Sequence, residues 1–230
     1  MGTLSLLLTG CYKIELSNFR EISKQYYSEI QQKELDSIEK AIESFVFMHT
    51  KTTDKSGQVY EQDGFGVAYE RFILTLNHIV SQDEIVTPTP FGRMTYYIDK
   101  EKEETTLGGV TIESIVKDKE KDIAVFRLPY AYRGESYPFG LGDSDKIRYT
   151  QEILLIGNPA YAGFNVREGI VSGKVQDGMF AVSANISGGD SGTITVDRHT
   201  FQILGINAER HYETIAKVRA INLFKPYLHA

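Results

Sequence analysis

The order in which three polar residues occur, His78, then Asp122, then Ser191, constrains the fold of this chain more than any other feature. Ser191 lies in the hexapeptide S-G-G-D-S-G of residues 187–192. A serine hydroxyl becomes an effective nucleophile when a histidine accepts its proton and a carboxylate fixes the tautomer of that histidine. The chain therefore contains the three residue types of a nucleophilic triad, and its fold must bring them together.

The sequence around each upstream residue indicates a strand end. His78 lies in the apolar stretch F-I-L-T-L-N-H-I-V of residues 72–80, and Asp122 begins the stretch D-I-A-V-F-R-L. Both stretches are typical of buried β-strands. Taken singly, His78 is also compatible with a structural role, Asp122 with a solvated charge, and residues 187–192 with a surface turn. Their joint occurrence favours a triad of His78 as base, Asp122 as its orienting partner and Ser191 as nucleophile.

The glycines before the serine predict a second element of the site. Backbone N–H groups stabilise a developing oxyanion, and glycine adopts the tight backbone that points them inward. We assign these donors to the N–H groups of Gly189 and Ser191. This chemistry requires no cofactor, and the sequence shows neither clustered zinc or calcium ligands nor a phosphate-binding glycine loop.

Most of the chain reads as short apolar stretches separated by turn residues, which predicts a mainly β fold made of barrels. We expect barrel one at about residues 44–131, barrel two at about 138–218 and a C-terminal helix at about 219–228. His78 and Asp122 then belong to the first barrel and Ser191 to the second. The predicted active site is the cleft between the two barrels.

The motifs also occur in the order found in one known family. They are G-F-G-V at 64–67, L-T-L-N-H-I-V at 74–80, D-I-A-V at 122–125, I-G-N-P at 156–159 and E-G-I-V-S-G at 168–173. Over residues 44–230 the chain resembles the HtrA (Deg) group of trypsin-like serine proteases. The resemblance implies a chymotrypsin-like double six-stranded β-barrel and a serine endopeptidase that acts on protein or peptide substrates. The order His, Asp, Ser agrees with this fold and differs from the orders in subtilisins and α/β-hydrolases.

The chain departs from the HtrA pattern around the nucleophile. HtrA proteins usually carry an asparagine before the serine and two glycines after it, whereas here Asp190 precedes Ser191 and Thr193 follows Gly192. In trypsins the corresponding aspartate pairs with a new N-terminus after zymogen cleavage. No matching activation sequence precedes the first predicted strand, so Asp190 needs another partner or none. Most HtrA proteins continue into a PDZ domain, whereas only residues 225–230 follow the last matching segment here, and the sequence predicts no PDZ domain.

The resemblance also assigns a specificity pocket. Asn185, six residues before the nucleophile, is expected at the pocket floor, with Asn207 and Ala208 beside it on a late strand. Trypsins place an aspartate at the first of these positions, and glutamate-specific relatives place a histidine where Asn207 stands. A neutral amide leaves the desolvation of a buried substrate cation largely uncompensated. The pattern predicts cleavage after uncharged, small to medium residues; the placement of residues 209–211 near the cleft stays open.

Two segments precede the barrels. Residues 18–43 carry apolar side chains mostly three or four positions apart, which predicts an amphipathic helix that packs on barrel one or contacts a partner. Residues 1–17 form a candidate signal segment, in which L-T-G-C resembles the lipobox of bacterial lipoproteins and Cys11 the lipid-bearing residue. The apolar run before Cys11 is too short to span a bilayer, and no Lys or Arg precedes it. An extracytoplasmic, membrane-anchored lipoprotein and an ordinary N-terminus both stay open.

Composition narrows the remaining functions. A formal net charge of −6 argues against a general nucleic-acid binder, which displays a concentrated basic face. The single cysteine excludes an intramolecular disulfide. Two alternatives to a protease stay open: a catalytically silent trypsin-like domain that binds a peptide or protein in the same cleft, and a surface lipoprotein scaffold. The natural substrate and the oligomeric state do not follow from the sequence.

Overall fold

The computed structural model describes residues 29–89, 92–212 and 215–229. The chain divides into two units, residues 1–36 and residues 37–230. In the first unit the structure describes only the helical residues 29–36. The candidate signal segment with Cys11, and residues 18–28 of the predicted helix, lie outside the described residues.

The described chain begins with a helix and continues mainly as β-strands. The helices are α1 (Glu29–Glu43) and the one-turn α2 (Asn77–Val80). The strands are β1 (Phe45–Asp54), β2 (Val59–Tyr69), β3 (Phe72–Thr75), β4 (Glu84–Thr89), β5 (Gly92–Tyr97), β6 (Lys100–Leu107), β7 (Val110–Thr111), β8 (Ser114–Asp118), β9 (Ile123–Arg127), β10 (Glu152–Gly157), β11 (Asn165–Gln176), β12 (Met179–Val182), β13 (Ile194–Asp197), β14 (Ile203–Tyr212) and β15 (Ile215–Ala220). This content confirms the predicted mainly β fold.

The first half of the large unit is an open sheet with strand order β7-β6-β1-β2-β3-β9-β8. Along β1, Val46, Met48, Thr50 and Thr52 are buried and alternate with more exposed residues, as expected for a strand with one face on the core. The described pairings do not close this sheet into the predicted six-stranded barrel. Strand β7 has only two residues, too few to extend the sheet towards β8, and β4 and β5 pair only with each other.

The second half is a closed six-stranded barrel, as predicted, with strand order β10-β11-β12-β15-β14-β13. The pleat of β10 divides its side chains between two cores. Leu154 and Ile156 belong to a large cluster shared with the first sheet, whereas Ile153 and Leu155 belong to the cluster inside the barrel. Because both faces of β10 are buried, its sequence is a continuous apolar run rather than an alternation. The shared cluster packs the open sheet against the barrel.

The short helix predicted at about 219–228 takes the form of two 3₁₀ helices. Strand β15 continues to Ala220, and two short 3₁₀ turns follow at Ile221–Leu223 and Lys225–Tyr227. Pro226 lies in the first turn of the second of these and has no N–H to donate. The chain instead forms the tighter three-residue hydrogen bonds, such as Tyr227 N–H to the carbonyl of Phe224 at 3.0 Å.

Within the large unit, the last residues of α1 pack on the shared core. Ala41 is fully buried, and Ile38 and Ile42 contact the same cluster. For residues 37–43 these contacts favour the packing role of the helix over a partner contact. Among the described residues, none of the helices combines the length and the apolar character that crossing a membrane would require.

Tyr137 links the open sheet to the barrel. Its backbone N–H donates to the carbonyl of Ala68 at 2.8 Å, and its hydroxyl donates to the carbonyl of Phe201. The side chain is 3% exposed, and burial raises the pKa of the hydroxyl, so the donor proton stays in place at neutral pH. One residue therefore contributes a hydrogen bond to each half of the large unit.

We expect Tyr137→Phe to lower the free energy of unfolding by about 1–2 kcal/mol, because the buried Phe201 carbonyl loses its donor while the ring packing is kept. Urea denaturation followed by circular dichroism measures the change. Tyr130→Phe is the matched control, since Tyr130 is 98% exposed and should leave the stability unchanged. Equal stabilities for the two variants would contradict the linking role of Tyr137.

Candidate active site

His78 is delivered to the surface by the short helix that follows a buried strand. Strand β3 is buried along its whole length, and α2 begins one residue after Leu76. In α2 the side chains of Asn77, Ile79 and Val80 are buried, whereas that of His78 is 48% exposed. The side-chain amide of Gln62 on β2 donates to the backbone carbonyl of His78. The imidazole thus projects from a well-anchored turn.

The imidazole of His78 contacts the carboxylate of Asp122, the residue that precedes β9. Nδ1 of His78 lies 2.9 Å from Oδ2 and 3.0 Å from Oδ1 of Asp122. The backbone N–H of His78 also donates to Oδ1 at 3.0 Å. A carboxylate at Nδ1 favours the tautomer with its proton on Nδ1, which leaves the Nε2 lone pair available as a base. The arrangement therefore suits proton transfer at Nε2.

Asp122 has a left-handed backbone conformation, which aspartate adopts more readily than most residues. Its φ is 50°, in the left-handed region that most residues avoid. Such a conformation costs free energy and persists only where the surrounding structure imposes it. Its neighbour Ile123 is fully buried in β9, so the turn into the strand fixes the carboxylate opposite the imidazole.

Ser191 lies next to the helix that carries His78. Gly192 follows it with φ of 83°, and a β-carbon added there would overlap the carbonyl oxygen of Phe65 and lie 2.7 Å from Cδ1 of Ile79. The residue after the serine therefore touches the residue after the histidine. The fold thus brings the residue after Ser191 against the helix that carries His78.

The hydroxyl of Ser191 is bonded to a backbone carbonyl and not to the imidazole. Its Oγ donates to the backbone carbonyl of Ala208 on β14 at 2.9 Å. Within the part of the chain that the structure describes, no hydrogen bond joins Ser191 Oγ to His78. The pair of histidine and aspartate is thus formed, and the serine is adjacent but bonded elsewhere.

The turn before the serine presents two free backbone donors. Residues 187–190 form a turn closed by the Asp190 N–H and the Ser187 carbonyl at 3.1 Å, with Gly189 at φ of 94°. A positive φ at the third position of a turn is characteristic of type II and favours glycine. Among the described residues, the N–H groups of Gly189 and Ser191 have no acceptor. We call residues 187–190 the oxyanion turn.

Asp190 has a partner that the sequence did not identify. Its fully buried carboxylate pairs with Arg167 on β11, with Nη2 to Oδ1 at 2.6 Å and Nη1 to Oδ2 at 2.9 Å. The N–H of Ser187 donates to Oδ2 at 2.8 Å. The sequence offered one signal, because a buried aspartate needs a cation and Arg167 immediately precedes the motif E-G-I-V-S-G of residues 168–173.

The three predicted pocket residues have different environments. Asn185 is exposed, and its backbone carbonyl accepts a hydrogen bond from Arg167 Nη1. Ala208 is 4% exposed. Asn207 is fully buried, and its amide is bonded within the barrel to Thr193, Thr195 and the carbonyl of Ile194. The pocket prediction needs correction at Asn207, because these bonds occupy its amide. The side chains of residues 209–211 lie outside the described part of the chain.

A polar cavity of about 580 Å³ opens beside the imidazole, with Gln62, Ser81, Asp83 and Lys119 among its walls. Burial opposes ionisation of Asp83, but its hydrogen bonds with Lys100 and Lys119 outweigh this effect and lower the pKa of the carboxyl. The cavity wall is therefore ionic at neutral pH. In the described residues, no group of three or more His, Cys, Asp or Glu side chains is arranged to hold a metal ion.

The chain belongs to the family of the trypsin-like peptidase domain, whose description matches residues 55–206. A relative from Staphylococcus epidermidis named "Serine protease HtrA-like" is 29% identical over 182 residues, which cover 68% of this chain and 28% of the relative. A Brucella suis relative named "Probable periplasmic serine endoprotease DegP-like" is 26% identical over 156 residues, with 65% and 27% covered. The chain thus spans just over a quarter of the length of these curated relatives.

Solved structures show the same fold. "HtrA-type protease AlgW with tripeptide" has a TM-score of 0.56 at 24% identity and covers 83% of this chain and 60% of the other. "Crystal structure of the serine endoprotease from Yersinia pestis" has a TM-score of 0.58 at 18% identity, with 88% and 66% covered. The chain therefore has HtrA-type homologues in sequence and HtrA-type neighbours in fold.

The close approach at Gly192 predicts that even one methyl group is not tolerated there. We expect Gly192→Ala to lower the free energy of unfolding by about 2 kcal/mol or more, because φ is positive and the methyl overlaps the Phe65 carbonyl. Gly188→Ala is the matched control, since a β-carbon there meets nothing within 4 Å. Thermal unfolding of both variants measures the difference. A stable Gly192→Ala protein would contradict the contact between Gly192 and Phe65.

Proposed function

We propose that this chain is a serine endopeptidase that hydrolyses peptide bonds through an acyl-enzyme at Ser191. The observation that carries the proposal is the hydrogen-bonded pair of His78 and Asp122, in which Nδ1 lies 2.9 Å from Oδ2. The residue after Ser191, Gly192, packs on Ile79, the residue after His78. A half-exposed histidine that is oriented by a carboxylate and adjacent to a serine is suited to proton transfer from that serine.

In the proposed reaction, Nε2 of His78 accepts the proton of Ser191 as Oγ attacks the scissile carbonyl carbon. The N–H groups of Gly189 and Ser191 donate to the oxyanion of the tetrahedral intermediate. His78 then gives the proton to the leaving amine, and the C–N bond breaks to leave an acyl-enzyme. Water repeats the sequence to release the acid and restore Ser191. Asp122 keeps its charge throughout and holds the imidazole.

The reaction first requires a rotation of the serine side chain. Oγ of Ser191 donates to the Ala208 carbonyl, so it must exchange that acceptor for Nε2 of His78. A hydroxyl rotates about a single bond between staggered positions, and catalytic hydrogen bonds often tighten only when substrate is bound. Substrate entry against β14 offers a reason for the exchange, because a bound peptide N–H competes for the same carbonyl.

Peptides or unfolded proteins are the proposed substrates. One structural neighbour was solved with a tripeptide, and the Brucella relatives are named periplasmic endoproteases. We extend both properties to this chain and propose that it acts outside the cytoplasm. Membrane anchoring through Cys11 stays a hypothesis from the sequence, since Cys11 lies outside the described residues.

A catalytically silent, peptide-binding domain is the second candidate, and the bond from Ser191 to Ala208 is the observation that favours it. In that case the cleft holds a peptide while the hydroxyl never reaches the imidazole. Reactivity towards a serine-directed probe separates the two candidates, because fluorophosphonates modify a serine only when a base activates it.

We expect Ser191→Ala to lower kcat for peptide hydrolysis by on the order of a million-fold and to abolish labelling by a fluorophosphonate, since triad members act as a unit. The unfolding curve should stay close to that of the wild type. Mass spectrometry of the labelled protein and a fluorogenic peptide assay measure the two effects.

The matched control is Ser172→Ala, which removes an exposed serine hydroxyl from β11 and should keep the labelling. Hydrolysis by a contaminant-free Ser191→Ala protein would overturn the assignment of the nucleophile. A folded wild-type protein that is not labelled would favour the silent domain instead.

The exposed Asn185 predicts the cleavage preference. We expect the wild-type protein to cleave after uncharged, small to medium residues, because an amide does not compensate a buried substrate cation. Asn185→Asp should increase cleavage after Lys and Arg relative to these residues. Asn165→Asp, an exposed position on β11, controls for the added charge. A peptide-library profile of the wild type dominated by Lys, Arg or Glu before the cut would show that this pocket assignment is wrong.

A further inference from the structure

We propose that Arg167 is a positioning residue for the oxyanion turn, which it holds through the buried carboxylate of Asp190 without any newly cleaved N-terminus. The proposal rests on the proposed function, because it concerns the donors Gly189 and Ser191 of the same site. Its starting point is the departure of this chain from the HtrA pattern, in which a neutral asparagine usually precedes the serine.

The charge of Asp190 requires a cation at this place. The carboxylate has 0% exposure, and a buried unpaired charge is strongly destabilising. Arg167 meets both oxygens at 2.6 Å and 2.9 Å, which is the two-pronged geometry that a planar guanidinium provides and a lysine does not. The ion pair is therefore specific in geometry as well as in charge.

The ion pair is connected directly to the oxyanion turn. Oδ2 of Asp190 accepts the N–H of Ser187 at 2.8 Å and faces the Ser187 hydroxyl at 3.5 Å. Nη1 of Arg167 also donates to the carbonyl of Asn185. The guanidinium thus ties both ends of residues 185–190 to strand β11, and the orientation of the Gly189 and Ser191 amides depends on it.

The surroundings of the ion pair are closed to another cation. A β-carbon added at Gly157 on β10 would overlap Oδ1 of Asp190 and lie 2.7 Å from Nη2 of Arg167. Leu155 pairs with Arg167 across β10 and β11, which fixes the arginine backbone in the barrel. Because Arg167 already occupies both carboxylate oxygens, the role that a new N-terminal ammonium has in trypsins is filled from within the barrel.

The ion pair has a consequence for regulation. Folding of the barrel alone completes the oxyanion turn, so the chain needs no proteolytic activation step. The turn donors act on the tetrahedral intermediate, so their misplacement lowers kcat more than it changes KM.

The test compares the wild type with Arg167→Met, Asp190→Asn and the double variant that carries both substitutions. Each protein carries an N-terminal tag, so that the α-amino group of its first residue is part of a peptide bond. kcat and KM are measured with one peptide substrate, and stability is measured by urea unfolding. We expect Arg167→Met to lower kcat by on the order of 100-fold, the size of losing one oxyanion donor, with KM within a few-fold. The double variant should recover to within about tenfold of the wild type, because a neutral amide at position 190 needs no cation.

Rescue distinguishes positioning from packing. If Arg167 served only to fill space, Asp190→Asn would not restore activity to Arg167→Met. Arg148→Met, at an exposed arginine of the same half of the chain, is the matched control and should behave as wild type. If Arg167→Met does not fold, the double variant is compared with Asp190→Asn. Values of kcat for the two proteins that agree within about threefold support the proposal, and values that differ by more than about tenfold overturn it.

Three further results bear on the positioning role of Arg167. Full activity of Arg167→Met would overturn the positioning role, and so would the absence of rescue in a folded double variant. The role would also be overturned if the wild type were active only after a cleavage that frees a new N-terminus. Activity of the tagged, uncleaved wild type supports it. A wild type that neither hydrolyses peptides nor reacts with a fluorophosphonate sinks the proposed function and the positioning role with it.

Discussion

The contact of Gly192 with Phe65 and Ile79 is the constraint on which the rest of the candidate site depends. His78 and Ser191 are 113 positions apart in the chain and belong to different halves of the large unit. The two halves meet through a shared apolar cluster to which β10 contributes Leu154 and Ile156. Gly192 lets the backbone of one half approach the backbone of the other at van der Waals distance. The hydrophobic core thus sets how closely the loop of Ser191 approaches the helix of His78.

The two parts of the site are held by different physical interactions. The pair of His78 and Asp122 is partly exposed, and it depends on hydrogen bonds and on the turn conformation at Asp122. The oxyanion turn depends on a buried ion pair with Arg167, where removing one charge leaves the other desolvated. A base that must gain and lose a proton needs contact with water and substrate. A set of fixed donors needs rigidity, which burial provides.

Local patterns in the sequence predicted the residues that lie next to apolar strands. His78 and Asp122 lie beside the buried strands β3 and β9, and apolar runs identify such strands. Arg167 was missed because its partner lies 23 positions away, and only closure of the barrel brings the two together. The predicted C-terminal helix forms only as two short 3₁₀ helices, in the second of which Pro226 has no N–H to donate. The sequence also did not show that the first sheet is open, because pairing between strands that are distant in the chain leaves no local pattern.

The side-chain amide of Asn207 is occupied by hydrogen bonds inside the barrel. The alignment of late-strand motifs places Asn207 beside the nucleophile loop, and Gly192 N–H does donate to its backbone carbonyl at 3.0 Å. Its side chain, however, points to Thr193 and Thr195, where a buried amide must find partners for both its N–H₂ and its oxygen. Threonine at position 193, a departure from the HtrA pattern, supplies one of those partners. The departures from the HtrA pattern at 190 and 193 therefore each come with a hydrogen-bonded partner. Arg167 contacts Asp190, and Asn207 contacts Thr193.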